Sequence, residues 1–213
     1  MFASIDRWLC LFINRISRHV KRIVNLEFNT QLGKCGKGTS VRNPNYCLVP
    51  RKIILGDNVN VNDGLTFIAR PDCEEGKLII KDNAIITQNF TAITNNHSVV
   101  KELGKTMKEV TLSRRNDKDE DIVIEEDVWV ACNVTILPGV TVGRGAIIGA
   151  GAVLRRSIPP YAIVLGNPGM VIGYRFTPDE IIEHEKILYP EDVRIPKDIL
   201  VKNYNEFIDS KKH

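Results

Sequence analysis

The sequence has few aromatic residues and little excess charge of either sign. Aromatic residues make up 7 % of the 213 positions, too few for the stacked platforms on which single-stranded nucleic acids bind. Lys and Arg number 29 against 26 Asp and Glu, so the formal net charge is only +3. A balance this even over a whole chain does not predict a nucleic-acid interface, and we expect no such partner.

Cysteine is also scarce, and long hydrophobic runs are missing. The five cysteines are widely spaced and form no CxxC pair, which excludes zinc-finger and thioredoxin-like motifs and favours reduced thiols. The longest apolar run near the start, 8–13, is far shorter than the roughly 20 residues that cross a membrane. It also lacks the basic start and length of a secretory signal, so the sequence predicts a cytoplasmic protein.

What the sequence does have is an aliphatic repeat of period six. The first series is Ile124, Val130, Ile136, Val142, Ile148 and Leu154, and the second is Val128, Val134, Val140, Ala146, Ala152 and Ile158. Neither a helix nor a single strand has this period. A coil with three flat faces does, because each hexapeptide then supplies one short strand and one corner. The repeat therefore predicts an all-β solenoid whose stacked turns hydrogen-bond as in a parallel β-helix.

The same step reappears upstream, with interruptions. Leu55, Val61 and Phe67 keep the spacing, and so do Ile80, Ile86 and Ala92. Residues 71–77 break the step and predict a short loop. A longer break predicts an inserted loop over about 98–122, rich in charges of both signs. Long insertions in solenoids are where function tends to lie.

The two ends of the chain do not follow the repeat. Residues 5–24 place apolar side chains at helical spacing with basic residues on the remaining face. This helix is either a cap packed on the solenoid or a basic helix on an anionic membrane surface. Thr177 to Glu180 predict a capping box, followed by a helix from Pro178 to about Leu188. We expect three regions: 1–50 as N-terminal helix and lead-in, 51–176 as the β-helix, and 177–213 as C-terminal helix and tail.

The stretch from Ile124 to Phe176 resembles the hexapeptide-repeat acyltransferases, in the sugar and xenobiotic O-acetyltransferase branch. The shared motifs are DVWVACN at 127–133, TILPG at 135–139, IPPYA at 158–162 and GNP at 166–168. The resemblance implies a left-handed parallel β-helix and a homotrimer with active sites between subunits. It also implies acetyl-CoA as co-substrate.

Acetyl transfer from a thioester to a hydroxyl needs a base, and histidine suits that role near neutral pH. Of His19, His97, His184 and His213, only His97 lies in the repeat region, where the family has its catalytic histidine. We predict it as the general base. One histidine cannot build the three-histidine zinc site of the carbonic anhydrases of this fold, so we expect no metal.

The resemblance implies roles for further residues. Trp129, Cys132 and Ala150 match positions along the coenzyme arm, and Arg155 and Arg156 match positions near its phosphates. Asp63 and Asn95 are candidate acceptor-binding residues, and Asn95, Asp63 or Asp82 could orient His97. The sequence departs from the family pattern at Ala131, Ser98 and Met170, and Met170 stands where relatives often have a cation.

These observations predict an enzyme that acetylates a sugar hydroxyl, in envelope or capsular polysaccharide biosynthesis. A lipid-linked acceptor would place it peripherally at the inner face of the cell membrane, through residues 5–24. Xenobiotic O-acetylation and sugar N-acetylation remain open as alternatives, and a non-catalytic solenoid scaffold is a further one.

Overall fold

A computed structural model describes residues 2–95, 102–113 and 119–211, and His97 therefore lies outside the described residues. Four α-helices are present in this part of the chain: α1 (Phe2–Thr30), α2 (Met107–Ser113), α3 (Pro178–Leu188) and α4 (Lys197–Ser210). The strands are β1 (Lys34–Cys35), β2 (Ser40–Val41), β3 (Tyr46–Cys47), β4 (Ile53–Leu55), β5 (Asn60–Val61), β6 (Thr66–Ile68), β7 (Leu78–Ile80), β8 (Ile85–Ile86), β9 (Thr91–Ile93), β10 (Ile122–Ile124), β11 (Trp129–Val130), β12 (Thr135–Ile136), β13 (Thr141–Val142), β14 (Ile147–Ile148), β15 (Val153–Leu154), β16 (Ala162–Leu165) and β17 (Met170–Tyr174).

The strands form three sheets that the chain visits in turn. The first sheet has the order β1-β4-β7-β10-β13, the second β17-β16-β14-β11-β8-β5-β2, and the third β15-β12-β9-β6-β3. From β1 to β15, neighbours in a sheet are parallel and three strands apart in the chain. Strand β16 then pairs parallel with β14, and β17 returns antiparallel on β16. The topology is a three-faced coil of stacked turns, and it begins at Lys34, upstream of the expected start at residue 51.

Both aliphatic series point into this coil, as the repeat predicts. All twelve of their side chains from Ile124 to Ile158 are buried, as are the upstream repeats such as Phe67 and Ile86. Each fully buried aliphatic side chain is worth about 1.5–3 kcal/mol of transfer free energy. The core is therefore a single apolar column along the coil.

The first corner, between the first and second sheets, and the second corner, between the second and third, are built alike in every turn. From β1 to β15, each connection at these two corners is four residues long and contains one residue with positive φ. These residues are Gly38, Asn58, Asn83, Asp127 and Gly145 at the first corner, and Asn43, Gly64, Asn89, Asn133 and Gly151 at the second. In the last turn, Tyr161 at the first corner and Gly166 between β16 and β17 also have positive φ. Glycine and asparagine tolerate the left-handed region best, which explains their repetition.

The third corner, where the third sheet returns to the first, contains all the insertions. Its connections include 48–52, 69–77 and 94–121, the last of which holds α2. The loop at 71–77 is where the sequence predicts it. Every long excursion of the coil thus leaves from one edge.

The ends of the coil differ in how their helices pack. α3 begins at the predicted capping box, in which the Thr177 hydroxyl accepts from the Glu180 N–H, and it ends at Leu188 as expected. Helix α4 was not predicted from the sequence. Helices α3 and α4 pack together on the last turn around buried Tyr161, Ile181 and Leu200.

Helix α1 includes the predicted span 5–24 but packs on the coil only near its own C-terminal end. From Leu11 to Val24 every side chain is exposed. No helix in the described ranges is both long enough and apolar enough to cross a membrane.

Candidate active site

The third corner brings together both ends of the segment that contains His97. Asn95 follows β9, and Asp119 is the first described residue after 114–118. The Asn95 side-chain amide donates a hydrogen bond to Asp119 Oδ1 at 2.7 Å. The insertion is therefore closed at its base by a side-chain contact, two residues before His97.

Asp119 is also the centre of a buried polar cluster. Arg70 Nε lies 3.2 Å from Asp119 Oδ1, and the Cys73 thiol and Lys52 Nζ lie 3.3 and 3.9 Å from Oδ2. The side chains of Asp119 and Lys52 are 0 % and 4 % exposed. A carboxylate this deeply buried needs paired cations and hydrogen bonds to remain charged. The cluster ties the connections 48–52, 69–77 and 94–121 of three successive turns together at the third corner.

The sequence analysis did not single out Lys52, Arg70, Cys73 or Asp119. They lie in three different insertions of the third corner, where the repeat has no register to align them. The only sequence signal was that charged residues flank each interruption of the repeat.

Asp63 lies on a different edge of the coil from Asn95. It follows β5 at the second corner and is exposed, with Asn43 Nδ2 donating to its Oδ2 at 2.6 Å and Arg42 Nε 3.7 Å from its Oδ1. Asp82 lies at the first corner, where its Oδ1 accepts from the backbone N–H of Asp57 at 2.8 Å. Within one protomer, only Asn95 of the three candidate orienting residues lies beside the insertion.

The predicted coenzyme-arm residues lie close together along the coil. Trp129 is 46 % exposed on the second sheet, between Ile85 and Ile147. It borders a shallow cavity of about 200 Å³ that Asp127 and Arg175 also line. Cys132 and Ala150 lie at the second corner of successive turns, and Gly151 N–H donates to the Cys132 carbonyl at 3.0 Å. Small side chains here leave the corner open to a narrow ligand.

Arg155 and Arg156 follow β15 at the third corner, the same corner as Asn95. Both are exposed, and neither forms an ion pair with any described residue. Unpaired guanidinium groups side by side suit phosphate oxygens, because each offers a planar fork of donors. Within the described ranges, no group of three or more His, Cys, Asp or Glu side chains could hold a metal ion.

Comparison with known families and structures agrees with this architecture. Residues 121–156 match the family model described as bacterial transferase hexapeptide (six repeats). No curated protein sequence matches the chain.

Three solved structures illustrate the likeness. A hexapeptide-repeat acetyltransferase from Vibrio cholerae O1 biovar eltor, complexed with acetyl coenzyme A, is 23 % identical, with a TM-score of 0.56 over 69 % of this chain and 73 % of that one. A maltose O-acetyltransferase from Clostridium difficile 630 is 26 % identical, with a TM-score of 0.55 over 69 % and 72 %. A galactoside acetyltransferase in complex with coenzyme A is 25 % identical, with a TM-score of 0.52 over 79 % and 75 %.

The match over 121–156 and the likeness to two acetyltransferases support an acetyl-CoA-dependent acyltransferase. The predicted resemblance to the hexapeptide-repeat acyltransferases is confirmed.

Proposed function

We propose that the protein transfers an acetyl group from acetyl-CoA to a hydroxyl of a sugar acceptor. The observation that carries the proposal is the closed insertion at the third corner, where Asn95 and Asp119 join the ends of the segment containing His97. Arg155 and Arg156 lie on the same corner and are free to bind the coenzyme phosphates. The likeness to a maltose and a galactoside acetyltransferase supports a sugar acceptor.

In the proposed reaction His97 accepts the proton of the acceptor hydroxyl as its oxygen attacks the thioester carbonyl. The carbon–sulfur bond then breaks, and the leaving sulfur takes up the proton from the imidazolium. Asn95 is two residues away in the chain, and its side-chain amide donates to Asp119. Trp129, Cys132 and Ala150 border the proposed path of the pantetheine arm.

The remaining details of the proposal come from the resemblance and the helix. We assign the coil the left hand of the family, and the protein a homotrimer with sites between subunits. The apolar face of α1, which includes Phe12, Ile16 and Val20, is about half exposed and supports peripheral contact with the inner face of the cell membrane. At the inner face of the membrane the enzyme would meet a lipid-linked acceptor of polysaccharide biosynthesis.

The test is release of free thiol from acetyl-CoA in the presence of a panel of acceptors. The panel contains sugars, amino sugars and an antibiotic hydroxyl, so it also separates O-acetylation from N-acetylation and from xenobiotic modification. His97→Ala should lower turnover by roughly 10²–10⁴-fold, the usual worth of a positioned base, while His213→Ala should not. Activity should rise with pH as the imidazole loses its proton. A His97→Ala variant with more than about a third of wild-type turnover would contradict the proposal, and no thiol release with any acceptor would favour a non-catalytic scaffold.

A further inference from the structure

Helix α1 docks on the first turn of the coil through the polar side chains of Asn25 and Asn29, with Phe28 packed against the apolar column. Asn25 Oδ1 accepts from the backbone N–H of Asn43 at 2.8 Å, and Asn29 Oδ1 accepts from that of Val41 at 3.0 Å. The second of these N–H groups lies in β2, an edge strand of the second sheet. The two asparagines therefore fix which side of α1 faces the coil.

The same side of α1 holds three cations. Arg18, Lys21 and Arg22 precede Asn25 by seven, four and three residues, and helical spacing puts all four on one face. They border an open cleft of about 430 Å³ between the helix and the first two turns. From the coil side, Arg42, Asn43 and Asp63 line it. We call this the α1 cleft.

The charges of the α1 cleft are unbalanced. Asp63 is its one carboxylate, and it already lies near Arg42 and accepts from Asn43. In the described part of the chain, no carboxylate lies within ion-pair distance of Arg18, Lys21 or Arg22. Moreover, no acidic residue occurs between Arg7 and Leu26. Four cations that converge on one cleft with a single acid attract an anion.

We propose that the α1 cleft binds the phosphate or diphosphate group of an activated sugar acceptor. This inference rests on the proposed function and names the acceptor's anionic group. Arginine forks pair with two phosphate oxygens at once, and a lysine adds a point charge. Asp63, the predicted acceptor-binding residue, lies in the same cleft, where its carboxylate would accept from a sugar hydroxyl next to the phosphate.

Two sources offer this chemistry: a nucleotide diphosphate sugar and a sugar on a polyprenyl diphosphate. The apolar side of α1, with Ile13, Ile16 and Val20 exposed, faces away from the docked polar side. That arrangement would let the helix meet a lipid surface while the cleft holds the diphosphate. Acetyl transfer to the same sugar in each of the two forms separates these sources.

The first experiment measures binding of inorganic pyrophosphate to the full-length protein by titration calorimetry. The wild type should bind it, and the double variant Lys21→Ala, Arg22→Ala should bind at least tenfold more weakly. Arg42→Ala, from the coil side, should also weaken binding. The matched control is Arg15→Ala, which removes an exposed cation of α1 that does not line the α1 cleft. No binding at millimolar pyrophosphate, or an equal loss in Arg15→Ala, would overturn the proposal, because general attraction to a basic helix would suffice.

The second experiment compares acetyl transfer to one sugar presented in three forms: free, as a nucleotide diphosphate sugar, and on a polyprenyl diphosphate in neutral-lipid vesicles. At least one phosphorylated form should have the lower KM, and the double variant should raise that KM while leaving transfer to the free sugar unchanged. The preferred form identifies the source. Equal KM values for all three forms would overturn the α1 cleft assignment. Such a result would leave the proposed function intact, since transfer to the free sugar would still depend on His97.

Discussion

The first and second corners of the coil differ from the third in one simple respect. All ten strand-to-strand connections from β1 to β15 at the first two corners are four residues long, whereas those at the third corner vary from four residues at 137–140 to 28 at 94–121. Stacked parallel strands stay in register only when each turn returns at the same height. The first two corners keep a constant connection length, and every insertion lies at the third corner.

The regular corners and the third corner also differ in the kind of contact that they contain. At the regular corners, backbone N–H groups bond to the preceding turn, as when Asn133 donates to the Gln88 carbonyl at 2.9 Å. At the third corner, side chains from different insertions meet around Asp119, and the exposed Arg155 and Arg156 follow β15 at the same corner. The scaffold comes from repeated backbone geometry, whereas the candidate residues Asn95, Arg155 and Arg156 lie at the one irregular edge.

The largest effect should follow loss of the cluster at the third corner. Asp119→Ala leaves Lys52 without its carboxylate, Arg70 with only the exposed Asp72 among the described carboxylates, and Asn95 without its acceptor, so the free energy of unfolding should fall by about 3–5 kcal/mol. Turnover should also fall, because the base of the insertion is no longer closed. Urea unfolding and thiol release would measure both quantities.

The control for that variant is Asp121→Ala, at the same corner. Asp121 is exposed and accepts only from the Lys77 N–H among the described residues, so its loss should cost about 1 kcal/mol or less. An equal loss of unfolding free energy in the two variants would show that Asp119 stabilises the corner no more than an exposed carboxylate does.

A matched pair of glycines tests the regular corners. Gly145 and Gly151 have φ of 69° and 73°. A Cβ at Gly145 would lie 2.6 Å from the buried Tyr161 ring. A Cβ at Gly151 would have no heavy atom of the described residues within 4 Å, apart from its own chain neighbours. Gly151→Ala should cost about 1–2 kcal/mol for backbone strain alone, and Gly145→Ala about 2–5 kcal/mol because overpacking adds to it.

Unfolding midpoints of the two glycine variants would give both costs. If Gly151→Ala proved the more destabilising, the corner geometry would not be the source of the strain.

The tyrosine at the first corner should make stability depend on alkaline pH. Burial, together with the 2.7 Å hydrogen bond from its hydroxyl to Glu185, raises the pKa of Tyr161 above its usual 10.0. Above pH 10 the unfolded chain loses a proton that the folded chain retains, so stability should fall as pH rises, by up to about 1.4 kcal/mol per unit.

Tyr161→Phe should remove that component of the fall. Tyr174 and Tyr189, whose pKa values burial raises to about 12, still titrate in the variant. The measurement is therefore the difference between wild type and variant in urea unfolding at several pH values. A difference that does not change with pH would contradict the assignment to Tyr161.

The smallest effect is expected from the exposed arginines. Replacing Arg155 and Arg156 with Ala should raise the apparent KM for acetyl-CoA about tenfold, or roughly 1.4 kcal/mol, with turnover at saturation unchanged. The control replaces Lys197 and Lys202, exposed cations on α4, and should leave the KM unaltered. A large fall in turnover with an unchanged KM would assign the pair a different role.

Much of the fold was predictable because buried aliphatic residues recur every six positions along the chain. Val130 and Ile148 both point into the apolar column of the coil, and any change of register would expose them. The period is therefore visible in the order of residue types along the chain. The cap of α3 was predictable for a similar reason, since Thr177 and Glu180 satisfy each other within four residues. Helix α4 was missed because Leu200 is its one buried residue, which leaves only a weak apolar pattern.

The candidate site was predictable only in part. Arg155, Arg156 and Asn95 could be singled out from motifs and from their position beside the insertion. The partners of Asp119 could not, because Lys52, Arg70 and Cys73 come from earlier turns and no short-range pattern links them. The docking of α1 was equally hidden: its apolar stripe suggested a packed cap, yet its polar asparagines make the contacts with β2 and the second corner.

By itself, the sequence determined the period of the coil, the residues inside it and the class of chemistry, since each depends on side-chain type at fixed local spacing. Only the tertiary structure decided what the insertions build. Stacking brings residues from successive turns to one edge, and it places the cations of α1 opposite the first turn. These contacts depend on the number of residues between turns and on the docking angle of a helix, which no local pattern encodes.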